Sequence, residues 1–280
     1  MKTAPLNIGV RTLFYMILAV FVVIQVYPIF WVIISSFKTQ AEVMSSAPYS
    51  LPGSFYLGNY VSMLQNSQIP TYFMNSSIVA VLTLFFTIVI GAPAAFAIEK
   101  MKFGAGNQVL AFFLLGIMIP IFVTLLPMFQ IYNALGLRNT FTSLILPQVG
   151  FNLPICIYLY SGFMRYVPNS LIESAHLDGA GSFKIFTSII LPMSKNTTIT
   201  IITFNFIFIW NEFIFANTFM TSSSMKTLPL GLKDFVGLYG FTDWGATYAA
   251  ITVTILPTLL IYFILNKSVI EGMAAGAVKS

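Results

Sequence analysis

Six continuous apolar runs, each long enough to cross the roughly 30 Å hydrocarbon core of a bilayer, constrain this 280-residue chain more than any other feature. Windows of about 19 residues place them at Thr12–Phe37, Tyr72–Ile98, Gln108–Asn133, Thr142–Met164, Thr197–Phe219 and Ala246–Asn266. Lipid offers a backbone no hydrogen-bond partners, so a run of this length must be a helix. A transmembrane β-barrel is excluded, because its strands are short and alternate apolar with polar residues. Only 8% of the chain is charged while 58% is hydrophobic, against roughly 25% charged in a soluble domain. The expectation is an all-α polytopic membrane protein, one membrane domain over residues 1–280, without internal repeat or low-complexity tract.

The first run follows a short basic N-terminus and superficially resembles a signal peptide. Signal cores are roughly 7–15 residues long, and Thr12–Phe37 is closer to a full span, so it is kept as one. Prolines interrupt several runs: Pro93, Pro120, Pro127, Pro147, Pro154 and Pro257. A bundle with this many potential kinks is better suited to enclosing a pathway than to plain anchoring, which needs one straight helix. Basic residues set the orientation. With the N-terminus inside, Lys2, Arg11, Lys100, Lys102, Arg165, Lys184, Lys195, Lys267 and Lys279 are cytoplasmic, and Lys38, Arg138, Lys226 and Lys233 are external. Nine against four favours N-in and C-in. The long outer loop Lys38–Thr71 then contains one segment, FYLGNYVSMLQNS, suited to a short helix. The net charge of +5 comes from scattered residues and forms no nucleic-acid-binding stripe. The lone Cys156 falls within a span and reads as a small buried hydrophobe.

Between the fourth and fifth runs the cytoplasmic loop 165–195 carries ESAHLDGAGSFKIFTSIILP (173–192), which holds two carboxylates, the only histidine and a Gly-Ala-Gly turn. Pro168 suits a helix start, and Gly179 suits a helix stop. Leu171, Ile172 and Ala175 share one face of that helix. Asp178 is disfavoured at a helix C-terminus and is expected, with Ser182, to cap the next helix. That second helix is expected to bury a stripe of Phe183, Phe186 and Ile190 and to end at Pro192. Small residues at the tip (Ala175, Gly179 and Gly181) would let a partner approach closely. The alternative reading is an amphipathic helix pair lying on the membrane surface.

This stretch resembles the cytoplasmic signature of importer-type ABC transporter permeases: Glu-Ala-Ala, three variable residues, Gly, then about nine more to Ile-x-Leu-Pro. Glu173, Ala175, Gly179, Ile189, Leu191 and Pro192 fit it, and Ser174 replaces an alanine. NALGLRNTFTSLILPQ (133–148), WNEF (210–213), TLPLGL (227–232) and EGMAAGAVK (271–279) are similar to the maltose-permease branch, so the resemblance extends over nearly the whole chain. It implies the type I importer permease fold, multi-pass in a bacterial inner (cytoplasmic) membrane. It also implies that the loop is a coupling helix docked on a separate ATPase, with contacts from Glu173, Ser174, Ala175, Asp178, Gly179, Ala180 and Gly181. The cytoplasmic tail, residues 267–280, would reach the ATPase as well, through Gly272, Gly276 and Lys279. The implied partners are a second homologous permease, an ABC ATPase dimer that binds the ATP and magnesium, an extracytoplasmic sugar-binding protein, the carbohydrate itself and membrane lipid. This chain needs no cofactor of its own, and no nucleic acid is involved.

Trp210, Asn211 and Glu212 sit near the outer end of the fifth run. A charge at mid-membrane costs on the order of 2.5–3.5 kcal/mol, so Glu212 needs water or a partner. Two readings stay open, a residue of the translocation path or an interfacial anchor with Trp210 in the aromatic belt. Asn75, Asn152 and Asn205 either line the path or staple helices together. His176 lacks a second metal ligand nearby, and Glu99 and Lys100 read as a membrane-edge salt pair. There is no phosphate-binding loop of the G-x-x-x-x-G-K-[ST] type, no H-E-x-x-H and no nucleophile–base grouping, so the chain is read as non-catalytic. The competing reading, a self-sufficient secondary transporter, would call for internal repeats and midplane acids that the sequence does not show.

Overall fold

The structure is a computed structural model that describes residues 8–101, 103–235 and 242–277, with backbone alone from 267. In chain order its α-helices are α1 (Ile8–Ser35), α2 (Gln40–Ser45), α3 (Gly58–Asn66), α4 (Ile69–Lys100), α5 (Gly106–Leu115), α6 (Ile121–Ala134) and α7 (Phe141–Arg165). These are followed by α8 (Asn169–Leu177), α9 (Ser182–Ile185), α10 (Leu191–Met193), α11 (Lys195–Trp210), α12 (Ile214–Phe219), α13 (Leu228–Gly231) and α14 (Trp244–Ala277). Among the described residues there is no strand.

Five helical stretches are long and apolar enough to cross a membrane by themselves: Ile8–Ser35, Ile69–Lys100, Phe141–Arg165, Lys195–Phe219 and Trp244–Asn266. The run expected as a single third span is divided. Gly106–Met118 and Ile121–Ala134 meet at 93°, so the spans number six only if this bent pair counts as one. The cause is local. Ile119 precedes Pro120, whose ring disfavours helical backbone in the residue before it, and both residues are extended (ψ 115° and 131°). By contrast, Pro93, Pro127, Pro147, Pro154 and Pro257 stay inside their helices.

The described helices form two compact units. The first contains α1–α3 and α14 as far as Ile255. Within it the connection after α1 is well fastened. Asn59 of α3 donates to the carbonyls of Ser36 (2.8 Å) and Lys38 (2.7 Å). Thr39 and Glu42 form a reciprocal capping box at the start of α2, which satisfies two otherwise orphaned amides. The amides of Thr39 and Gly53 also hold the Glu42 carboxyl below its usual range. The short helix expected within FYLGNYVSMLQNS is present as α3. Trp31 packs edge-on against Tyr248 of α14 at 5.3 Å, and its indole donates to the Pro48 carbonyl.

The second unit holds α4–α13 and α14 from Leu256. Its centre is the pairing of α4 with α7, where small residues permit close approach. A Cβ added to Gly91 would lie 2.6 Å from the Cys156 sulfur, and Cys156 is itself fully buried. From Ala92, Ala95 and Phe96 on α4 and Cys156, Ile157, Tyr160 and Met164 on α7, the buried core continues without a break. It runs through Val167 to Ile172, Ala175, Ile185, Phe186 and Ile190. The polar stretch between α7 and α11 is therefore built onto one end of the bundle core.

Candidate functional site

The knob formed by α8, α9 and the residues up to α10 has an inner and an outer face. Helix α8 ends as its sequence predicts. Gly179 takes a left-handed backbone (φ +80°), its amide donates to His176 O at 3.0 Å, and the Ala180 amide donates to Ala175 O at 2.9 Å. This paired closure satisfies the last carbonyls of the helix. The His176 ring adds a third bond: Nδ1 lies 3.1 Å from Ala180 O, and because a carbonyl only accepts, Nδ1 carries the proton. The histidine thus fastens the turn, and among the described residues no cluster of metal ligands exists.

Four expectations about the knob are corrected. Ala175 is not available at the tip, since it is buried in the chain's own core with Ile172. Asp178 does not cap the second helix: α9 begins after Gly181 with no side-chain cap bond, and Asp178 remains exposed. The buried stripe is Ile185, Phe186 and Ile190, while Phe183 is 80% exposed. The reason is a wider π turn at Phe186–Ile190, which inserts one residue per turn and shifts the register of the helix beyond it. Nor does Pro192 end the helical path. It sits in α10, and the chain bends at Ser194 before α11. The outer face carries Glu173, Ser174, Asp178, Gly179 and Gly181, with Ala180 half-buried. Two large apolar side chains without a sequence signal stand among them, Leu177 (90% exposed) and Phe183.

The knob meets α4 across a cleft of about 230 Å³ whose walls include Phe96, Lys100, Ile172, Glu173 and His176. Here Glu99 and Lys100 point to different partners. Glu99 pairs with Arg165 of α7 at 3.0 Å, and Lys100 donates to Val167 O (2.7 Å) and Asn169 Oδ1 (3.0 Å).

The six residues expected along a path have different partners. Asn75 is buried and donates to the carbonyls of Ser224 and Lys226, both at 2.8 Å, so it staples the segment before α13 to α4. Trp210 is buried between Phe73 and Phe206, with ring centroids 5.5 and 5.4 Å away, which removes it from a lipid-facing belt. Asn205 is buried, and its Nδ2 has no hydrogen-bond partner among the described residues. Asn152 donates to Gln148 O and Asn211, exposed, to Ile207 O, each one turn back. Glu212 has the partners its sequence neighbourhood seemed to lack. Its two oxygens accept from the amides of Phe215 (2.6 Å) and Ala216 (3.2 Å), capping α12. A charge in a span becomes tolerable when amide donors face it.

At the other end of α12, Asn139 (φ +57°) accepts on Oδ1 from the amides of Thr221 and Ser222, both at 3.0 Å. Asparagine tolerates this left-handed backbone better than most residues. Gly272 and Gly276 lie in the last turns of α14, described as backbone only. Lys279 lies outside the described residues.

Residues 87–274, which include the whole knob, match the binding-protein-dependent transport system inner membrane component family. The chain belongs to that family. It is a multi-pass inner-membrane permease subunit of an ABC importer, in which ATP hydrolysis falls to a separate subunit. Among the permeases it is similar to is the ABC transporter permease protein ORF2 of Caldicellulosiruptor sp., 36% identical over 95% of this chain and 96% of that one. The diacetylchitobiose uptake system permease of Streptomyces coelicolor is 32% identical over 91% and 84% of the two chains. The trehalose/maltose transport system permease of Thermococcus litoralis is 31% identical over 92% of each. In fold, this permease matches a chain of a bacterial ABC transporter that imports alginate, with a TM-score of 0.81 over 95% of this chain and 99% of that one, at 19% identity.

Proposed function

We propose that this permease forms half of the translocation path of an ATP-driven carbohydrate importer, oriented N-in and C-in, beside a second, homologous permease. The observation that carries the reading is the double character of the knob. Its inner face is continuous with the buried core of α4 and α7, while Glu173, Leu177, Gly179 and Phe183 are offered outward. An ATPase subunit docked on the outer face can thereby move the spans without contacting them. The tail with Gly272, Gly276 and Lys279 adds a second contact to the ATPase dimer, and an extracytoplasmic binding protein delivers the sugar from above. A carbohydrate substrate is favoured because relatives over nearly the full length carry disaccharide names.

Asn152, Asn205, Asn211 and Glu212 are the residues we place nearest the path. The buried orphan atoms Asn205 Nδ2 and Gln148 Oε1 support a polar interior, since unpaired polar groups are costly within a span. Asn75 and Trp210 act from behind them, as fasteners.

The test is to purify the complex through a tag on this chain and measure ATP hydrolysis with candidate sugars delivered by the co-encoded binding protein. An ATPase subunit should co-purify, and one sugar class should stimulate hydrolysis. Recovery of this chain without any ATPase would overturn the reading. A cysteine placed at Ser54 should react with an impermeant thiol reagent from outside and one at Ser182 should not, and the reverse pattern would overturn the orientation.

A further inference from the structure

We propose that Lys100, at the cytoplasmic end of α4, is a positioning residue that ties the coupling helix α8 to the bundle so that the two move together. The inference rests on the coupling reading of the knob and goes beyond it by naming the tie. Lys100 Nζ donates to Val167 O at 2.7 Å and to Asn169 Oδ1 at 3.0 Å. Those acceptors flank Pro168, which precedes α8 and supplies no amide, and α8 begins without any side-chain cap. One ammonium therefore grips the chain on both sides of the point where α7 hands over to α8.

The position of this grip explains its importance. Where α4 and α8 face each other, packing gives way to the 230 Å³ cleft between Phe96 and Lys100 on one side and Asn169, Ile172 and Glu173 on the other. Apolar contact couples α8 to the bundle where Ile172 and Ala175 join the core, and across the gap the bonds at its rim add to that coupling. Higher up, the tilted Phe96–Phe186 ring pair at 5.5 Å joins α4 to the second part of the knob and leaves the start of α8 untouched. The neighbouring Arg165–Glu99 pair is a weaker candidate. Arg165 is 62% exposed, and exposed ion pairs contribute little once solvent screens them. Lys100 also belongs electrostatically to the C-terminal end of α4, where a cation is favourable. Near the N-terminal end of α8 the same charge is unfavourable, and its directed bonds to Val167 O and Asn169 Oδ1 offset that cost.

The experiment uses the complete complex in proteoliposomes and reads ATP hydrolysed per sugar transported. Lys100→Met should leave ATPase co-purification at the wild-type level and raise that ratio by roughly fivefold, within the range that single coupling positions command. Lys100→Arg, which keeps the donors, should return the ratio to near wild type. Arg165→Gln should change it by less than about twofold. Should Lys100→Met fail to assemble, a K100C/N169C pair in a Cys156→Ala background serves instead: coupling is lost in the free thiols and recovered on bridging them with a short crosslinker. A wild-type ratio in assembled Lys100→Met, or no recovery in the bridged pair, would overturn the inference and leave the coupling reading standing. Absence of any ATPase from the wild-type complex would overturn the coupling reading itself.

Discussion

Gly179 separates two effects that are usually confounded when a turn meets a partner. Its φ of +80° is one that L-residues adopt reluctantly, and a Cβ built there meets nothing within 4 Å. Substitution therefore costs backbone strain without an internal clash, about 1–2 kcal/mol for alanine or leucine. That corresponds to a factor of roughly 5–30 in the population of the native turn. Asparagine, which visits this region more readily, should cost less. Because the space around Cβ is open, the extra bulk of leucine is felt only by whatever docks on the tip. In the isolated chain, hydrogen exchange at the Gly179 and Ala180 amides, both bonded in the turn, should accelerate equally in Gly179→Ala and Gly179→Leu and less in Gly179→Asn. In the complex, only Gly179→Leu should abolish ATPase co-purification. If alanine abolished it as completely as leucine, conformation and not close approach would be the requirement. If leucine left assembly and transport intact, the tip would not be an interface.

Packing and capping inside the second unit set two more outcomes. Gly91→Ala places a methyl 2.6 Å from the Cys156 sulfur and should destabilise the chain by about 1–3 kcal/mol through overpacking; Cys156→Ala in the same chain should recover part of that loss, and strict additivity in a thermal-unfolding cycle would refute the contact. Glu212→Ala removes both acceptors from the start of α12 and should cost about 1–2 kcal/mol, with Glu212→Gln losing less because one carbonyl oxygen remains; equal melting temperatures for wild type and Glu212→Ala would refute the capping role.

Spans were legible because lipid enforces them: continuous apolarity leaves helix as the sole solution for a chain of this composition. The break at Ile119–Pro120 was written in the same run, in the backbone restriction that proline places on its predecessor, but hydropathy windows average over it. The Gly179 stop was legible for the converse reason, that one residue type fits one backbone region. Phe183 was misassigned because an i, i+3, i+7 stripe presumes 3.6 residues per turn, and the π turn at Phe186–Ile190 puts Ile185 inward instead. Glu212 looked unpartnered because its partners are backbone amides three and four residues ahead. Treating it as the residue before a new helix would have found them. Asn75, which binds carbonyls about 150 positions away in the chain, left no local signal at all.

The knob's two faces also rank the forces that act when a partner moves. Its inner face buries Ile172, Ile185, Phe186 and Ile190, each 8% exposed or less. At about 1.5–3 kcal/mol per large apolar side chain, these four attach it to the bundle by roughly 6–12 kcal/mol, an upper estimate because the unfolded chain already buries some surface. The outer face offers Leu177 and Phe183, 90% and 80% exposed, which on the same scale could return roughly 3–6 kcal/mol to a docking partner. The inner attachment exceeds the outer one. A partner pulling through those two side chains would slip before it peeled the knob from α4 and α7, so any displacement it holds is passed to the spans. Adding apolar contacts outside would narrow that margin, and removing them from inside would narrow it too. Ile190→Ala, at a fully buried site where such truncation costs about 2–5 kcal/mol, should therefore uncouple transport from hydrolysis while the ATPase stays bound. Wild-type coupling in an assembled Ile190→Ala complex would show that the knob is held to the spans by something other than this core.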